Sequence, residues 1–104
     1  MNKQSIIEIS EFYGFDAQSR QCIEEMAELT VALNKYHRER DKWSSFLKEC
    51  FNDNTSLENV KEEIADVMIM LEQMKYLLNI YENDIETIIN RKILRQLERI
   101  NKQN

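Results

Sequence analysis

The chain contains no proline and a single glycine, Gly14, among its 104 residues. Sheet-rich folds need many tight turns, and glycine and proline supply much of that turn chemistry. We also find no strict alternation of apolar and polar residues bounded by turn residues, which would be typical of a half-buried strand. The sequence therefore favours an all-α fold, and its length is that of one small domain, residues 1–104.

Hydrophobic periodicity and end signals predict four helical segments. The first ends before Gly14, and Thr55-Ser56-Leu57-Glu58 resembles a capping box that opens the third. We expect a connecting insertion at about 41–55, within which a short fifth helix is predicted. The four main segments are about 3–13, 15–40, 55–78 and 83–101. This pattern predicts four to five helices in an antiparallel bundle.

The apolar stripes of these helices are long for so short a chain. The last helix alone carries five aliphatic side chains at helical spacing, which are Ile85, Ile89, Ile93, Leu97 and Ile100. An antiparallel bundle of one chain covers only part of this surface, so we expect association of copies to cover the rest.

Charge and composition exclude several partners. The formal net charge is −5, which disfavours nucleic acid, because that binding relies on clustered basic residues. No apolar stretch approaches the length of about 18 residues that a membrane span needs, and the N-terminus lacks a signal-peptide core. Cys22 and Cys50 have no metal-ligand spacing, so we expect reduced packing cysteines in a cytoplasmic protein.

A short acidic pattern occurs twice. Residues 24–29 read Glu-Glu-Met-Ala-Glu-Leu, and residues 62–67 read Glu-Glu-Ile-Ala-Asp-Val. At about 100° per residue, one carboxylate pair lies in phase with the apolar stripe in each helix. These in-phase acids are Glu25, Glu28, Glu63 and Asp66, whereas Glu24 and Glu62 fall on the flanks. Because carboxylates are rarely buried without a partner, the pattern predicts a bound cation.

The ligand types indicate which cation. An all-oxygen cluster suits Mg²⁺, with Mn²⁺ as a substitute, and Mg²⁺ usually shares its coordination with phosphates. A di-iron carboxylate site would need Glu-x-x-His on paired helices. The only histidine is His37, which follows Asn34 by three positions, so the sequence lacks that motif. A second interpretation stays open, in which the acidic stripes only set the pairing of helices in a non-catalytic interaction module.

The residues resemble a known family. Glu24-Glu25-x-x-Glu28 followed by Glu63-x-x-Asp66 is similar to the metal-binding signature of the MazG-like nucleoside triphosphate pyrophosphohydrolases, a superfamily that includes the dimeric dUTPases. The run from Asn90 to Arg95 resembles that family's Asn-x-Lys-x-x-Arg stretch. The matches span about residues 18–95, although the interval between the two acidic motifs is longer than in compact members.

The resemblance implies hydrolysis of a nucleoside triphosphate to the monophosphate and pyrophosphate by a homodimer or homotetramer. It implies metal ligation by Glu25, Glu28, Glu63 and Asp66, and contact with the substrate by Asn90, Lys92 and Arg95. From the chemistry of the site, Glu25 or Glu28 is the candidate general base. In the insertion, Trp43 and Phe46 are interpreted as packing residues, with contact to a nucleobase as the alternative.

Overall fold

The computed structural model describes residues 1–41 and 54–103, and within those ranges it contains three helices and no strand. Helix α1 spans Lys3–Asp41, α2 spans Asn54–Leu77 and α3 spans Glu82–Gln103. The all-α class is thus confirmed. The expected number of four to five helices and the antiparallel bundle are not confirmed, and the short helix expected in the insertion lies outside the described residues.

Helix α1 is broken at Gly14, as the glycine predicted. The backbone there has φ 82° and ψ 169°, a conformation that is essentially restricted to glycine. A Cβ atom added to Gly14 would meet nothing within 4 Å, so the requirement for glycine comes from the backbone and not from crowding. The kink divides α1 into two helical segments at the position expected from the sequence.

Helices α1 and α2 pack antiparallel. Three side-chain pairs fix their register: Glu11 with Tyr76, Gln18 with Gln73, and Glu39 with Ser56. As the residue number rises along α1 it falls along α2, so residues near 25–28 lie opposite residues near 63–66. This register brings the two acidic motifs to the same level of the helix pair.

The interface of α1 and α2 forms a narrow core. Its buried apolar side chains are Ile6, Cys22, Ala32, Val60, Val67 and Met70. Polar groups are buried with them, and Gln18 Nε2 donates a 2.8 Å hydrogen bond to Gln73 Oε1. Cys22 is a free, buried thiol whose pKa is raised by burial, in agreement with a packing role; Cys50 lies outside the described residues.

The turn from α2 to α3 is specified by the sequence. Asn79 has φ 56°, the Ile80 N–H donates to the Lys75 carbonyl at 2.9 Å, and the Asn79 N–H donates to the Tyr76 carbonyl at 3.1 Å. This pattern is the Schellman motif, in which asparagine is one of the few residues that tolerate the left-handed conformation. Lys75 Nζ also pairs with Glu82 Oε2 at 2.9 Å, which ties the start of α3 to α2.

Beyond that turn, α3 stands apart from the other helices. Only α1 and α2 form an extensive interface, and no residue of α3 is buried. The radius of gyration is 18.0 Å, whereas a compact domain of this length has a value of about 13 Å. The described residues of one chain therefore leave the apolar stripe of α3 uncovered. None of the three helices has an apolar stretch long enough to cross a membrane.

Candidate functional site

The acidic motifs meet where α1 faces α2. Glu25 and Glu28 lie one turn apart on α1, and Glu63 projects from α2 at the same level. One carboxylate oxygen from each of the three residues lies within 4.8 Å of those of the other two. The structure thus brings together three of the four carboxylates that the sequence placed on one face.

Burial divides these carboxylates. Glu25 and Glu63 are half-buried, whereas Glu28 is exposed. Glu25 Oε1 accepts a 2.8 Å hydrogen bond from Gln21 Nε2. The second oxygens, Glu25 Oε2 and Glu63 Oε2, are buried and have no hydrogen-bond partner in the described part of the chain. Buried polar atoms are rarely left unpaired, so these two oxygens mark the place where a positively charged or hydrogen-bonding group fits.

The three carboxylates repel one another, and this repulsion changes the pKa of Glu28. The neighbouring Glu25 carboxylate, and after it the Glu63 carboxylate, raises the pKa of Glu28 above its ordinary value. Close acids favour protonation of one of their number, since that removes a like-charge contact. A divalent cation bound between the acids would reverse this preference, because it stabilises all of them in the ionised form.

A pocket of about 290 Å³ opens beside the cluster. Glu28 and Glu63 line it together with small residues and two polar side chains, Lys35 and Asn59. We did not single out Lys35 or Asn59 from the sequence. Their spacing could have indicated them, because Lys35 follows Glu28 by two helical turns and Asn59 precedes Glu63 by one, which places each on the same face as its acid. Lys35 supplies a cation on the same side of the helix pair as the acids.

Asp66 does not belong to the group of three. It is exposed on α2 one turn after Glu63, and its carboxylate is not among the three that lie within 4.8 Å of one another. Glu24 and Glu62 are also exposed, and for them the predicted flanking position agrees with the structure.

The other predicted substrate residues lie on α3. Asn90, Lys92 and Arg95 are all exposed, and Lys92 and Arg95 line a pocket of about 210 Å³ with Gln96 and Arg99. None of these five residues lines the pocket beside the acidic cluster. Within one chain, therefore, the described structure does not bring the basic residues of α3 into the pocket of the acids. Trp43 and Phe46 lie outside the described residues.

The donor set determines what the cluster is able to bind. Three carboxylates in close contact, two of them with unpaired buried oxygens, fit a hard divalent cation such as Mg²⁺ or Mn²⁺. The open side of the cluster faces a pocket, which leaves room for a further ligand. Glu25, Glu28 and Glu63 are consequently the residues suited to hold the ion.

Comparisons with known proteins do not assign this chain to a class of protein. No family model matches the chain, and comparisons with curated proteins and with solved structures found no match either. The resemblance to the MazG-like enzymes thus rests on the two acidic motifs and the Asn90–Arg95 stretch.

Proposed function

We propose that this protein is a Mg²⁺-dependent nucleoside triphosphate pyrophosphohydrolase of the MazG-like type, releasing a nucleoside monophosphate and pyrophosphate. The observation that carries the proposal is the pair of buried, unpartnered oxygens of Glu25 and Glu63 beside Glu28. Such a cluster is costly without a cation. With one, it matches the chemistry of enzymes that bind polyphosphates.

In this proposal Glu25, Glu28 and Glu63 hold the ion, and Asp66 is the fourth candidate ligand because it follows Glu63 by one turn. When bound, the ion supplies charge neutralisation for the triphosphate and acidifies a coordinated water. The chain supplies the orientation: Gln21 fixes one oxygen of Glu25, so the Glu25 side chain is held in one direction before the ion arrives.

The candidate general bases differ in their surroundings. Glu25 is half-buried and accepts a hydrogen bond from Gln21, whereas Glu28 is exposed and lines the pocket. A base must reach the proton that it accepts. Access therefore favours Glu28 as the group that takes a proton from the attacking water, with Glu25 acting mainly as a ligand.

Positive charge is needed for the phosphates. Lys35 lines the pocket with Glu28 and Glu63, and among the described residues it is the cation that lines this pocket. Asn90, Lys92 and Arg95 retain the substrate-binding role that the resemblance implies. We propose that they act in a homodimer or homotetramer, in which residues of α3 approach the acidic cluster of another copy.

The test is a panel of canonical and modified nucleoside triphosphates with detection of pyrophosphate. We expect release with Mg²⁺ or Mn²⁺ and none with a chelator. Glu63→Gln and Glu28→Ala should each lower turnover at least about a hundredfold, since loss of a ligand or base typically costs two or more orders of magnitude. Glu62→Gln, an equal charge change on an exposed neighbour, should leave turnover within about twofold.

Thermal unfolding separates this proposal from its alternative. If Mg²⁺ binds the folded chain alone, the melting temperature rises with its concentration, by an amount equivalent to about 2.7 kcal/mol at one hundred times the dissociation constant. The rise should be absent in Glu63→Gln and retained in Glu62→Gln. No turnover across the panel together with no response to Mg²⁺ would leave the second interpretation, a helical interaction module whose acids only set helix pairing.

A further inference from the structure

Helix α3 carries a long apolar stripe, from Ile85 to Ile100, that the described residues of one chain do not cover. Four of the aliphatic side chains in this stripe are between 41% and 52% exposed, namely Ile89, Ile93, Leu97 and Ile100. Isolated exposed apolar residues are ordinary, but a contiguous run along a whole helix marks an interface. Since α3 has no buried residue, a partner must supply whatever holds it in place.

This surface continues onto α2. A groove of about 450 Å³ lies between the two helices, and Met68, Leu71 and Met74 of α2 line it together with Ile85 and Ile89 of α3. Met68 and Leu71 are 53% and 45% exposed. The groove and the stripe of α3 thus form one apolar surface, with the groove at the start of α3 and the exposed stripe continuing toward its end.

The charges of α3 indicate what covers the stripe. Residues 82–90 contain three acids and no base, whereas residues 91–103 contain five bases and one acid. A second α3 running in the opposite direction would bring the acidic half of each helix beside the basic half of the other. A parallel arrangement would place like charges side by side and would also align the helix dipoles unfavourably.

We infer that the partner is a second copy of this chain and that the two α3 helices pair antiparallel about a two-fold axis near Ile93. In that arrangement Leu97 and Ile100 of one copy enter the groove beside Ile85 and Ile89 of the other. The exposed end of each stripe thus fills the groove of its partner, and the same contact occurs twice, as a closed two-fold interface requires. The inference rests on the self-association that the proposed function includes, but not on metal binding or hydrolysis at the acidic cluster.

The first test measures mass in solution over a range of protein concentrations by sedimentation or light scattering. The full chain should be a dimer or a multiple of one. Leu97→Asp should weaken association at least about a hundredfold, since it removes an apolar side chain from each of the two copies. Thr87→Asp, which adds the same charge to the opposite face of α3, should leave the mass unchanged.

Because Leu97 is exposed within one chain, the Leu97→Asp protein should keep its helical content, and circular dichroism checks that it is folded. A full chain that is monomeric at every concentration would overturn the inference. So would a dimer that is unaffected by Leu97→Asp. A chain that is always monomeric would also remove the proposed approach of α3 to the acidic cluster of another copy, whereas metal-dependent release of pyrophosphate is measured separately.

The second test determines the direction of pairing by disulfide formation. Ile85→Cys and Ile100→Cys are made in separate chains, in a background of Cys22→Ala and Cys50→Ser, and then mixed and oxidised. The two positions are about 22 Å apart along one helix, but an antiparallel pair brings one within disulfide distance of the other in its partner. We expect cross-linked heterodimers from the mixture and little cross-linking from either chain alone.

Glu98→Cys, on the opposite face of α3, is the control and should not cross-link with either variant. Cross-linking of Ile85→Cys to itself and of Ile100→Cys to itself, with none in the mixture, would establish a parallel pair and overturn the antiparallel arrangement.

Discussion

Glu28 has two carboxylates as its nearest charged neighbours, and its chemistry follows from theirs. Glu25 and Glu63 raise the pKa of Glu28, although Glu28 itself is exposed to water. The same proximity that raises its pKa makes the group a suitable ligand for a cation. The negative charge of Glu28 is therefore expected to destabilise the fold when no cation is bound and to stabilise it when a divalent cation is bound.

Without divalent cations, replacement of Glu28 should stabilise the chain at neutral pH. The Glu28 carboxyl holds its proton to higher pH in the folded chain than in the unfolded chain, for which the ordinary value is 4.5. Stability therefore falls as the pH rises from 4.5 through the raised pKa. We expect Glu28→Gln to melt above the wild type at pH 7, with the difference vanishing below about pH 4.5.

The measurement is thermal unfolding of both proteins in chelator from pH 4 to 8. Glu24→Gln is the matched control, because Glu24 is exposed and lies on the flank of the same helix. If Glu28→Gln is less stable than the wild type at pH 7 in chelator, the three acids do not repel one another as the geometry requires. Added Mg²⁺ should reverse the order, since the wild type alone then has its full set of ligands.

At the scale of the helices, the register of α1 on α2 determines whether the acids meet. Gln18 and Gln73 form a buried hydrogen bond of 2.8 Å within this interface, and Gln73 is only 2% exposed. A shift of one helix by a turn would leave both amides buried and unpaired. This hydrogen bond therefore fixes the alignment of α1 against α2 at a position about two turns from Glu25.

Removing one member of this pair should destabilise the fold. Gln73→Leu leaves the Gln18 amide buried without its partner, which costs about 1–3 kcal/mol in the free energy of unfolding. The double variant Gln18→Leu/Gln73→Leu should recover most of that loss, because no unpaired polar group remains. Urea unfolding of the wild type, both single variants and the double variant measures this coupling. Additive losses in the double variant would contradict it.

Helix ends were the most predictable part of the fold. Gly14 marked the break in α1, Asn79 and Ile80 marked the end of α2, and residues 55–58 marked its start to within a residue. These signals are local, since each depends on the backbone preference of one or two residues. The Ser56 side chain, however, donates to Glu39 of α1, a contact between helices that the capping-box pattern did not indicate.

The burial of the acidic side chains was less predictable than the helix ends. Helical phase gives the direction of a side chain but not the width of the interface that it faces. Where α1 crosses α2 the buried strip is narrow, so Glu25 and Glu63 fall at its edge while Glu28 and Asp66 lie outside it. The helical period of an apolar stripe likewise does not indicate what covers it. The stripe of α3 has the same period as the others, yet no residue of α3 is buried.

At the scale of the whole molecule, the described chain consists of a packed helix pair and a third helix that has no buried residue. The α1–α2 interface contains all the buried apolar residues of the described chain. In the inferred pairing, the stripe of α3 adds its stabilisation only when copies associate. The stability of α3 should accordingly depend on protein concentration, whereas that of the helix pair should depend on it much less.

Hydrogen exchange tests this division directly. Amides of α3 between residues 86 and 100 should exchange faster as the protein is diluted toward its dissociation constant, in proportion to the unpaired fraction, and should reach the rate of the monomer below it. Amides near Cys22 and Val67 in the α1–α2 interface should change little. Leu97→Asp should give fast exchange in α3 at every concentration and leave the helix pair protected, with Thr87→Asp behaving as the wild type. Equal protection of α3 in monomeric Leu97→Asp and in the paired wild type would mean that one chain is sufficient to hold this helix.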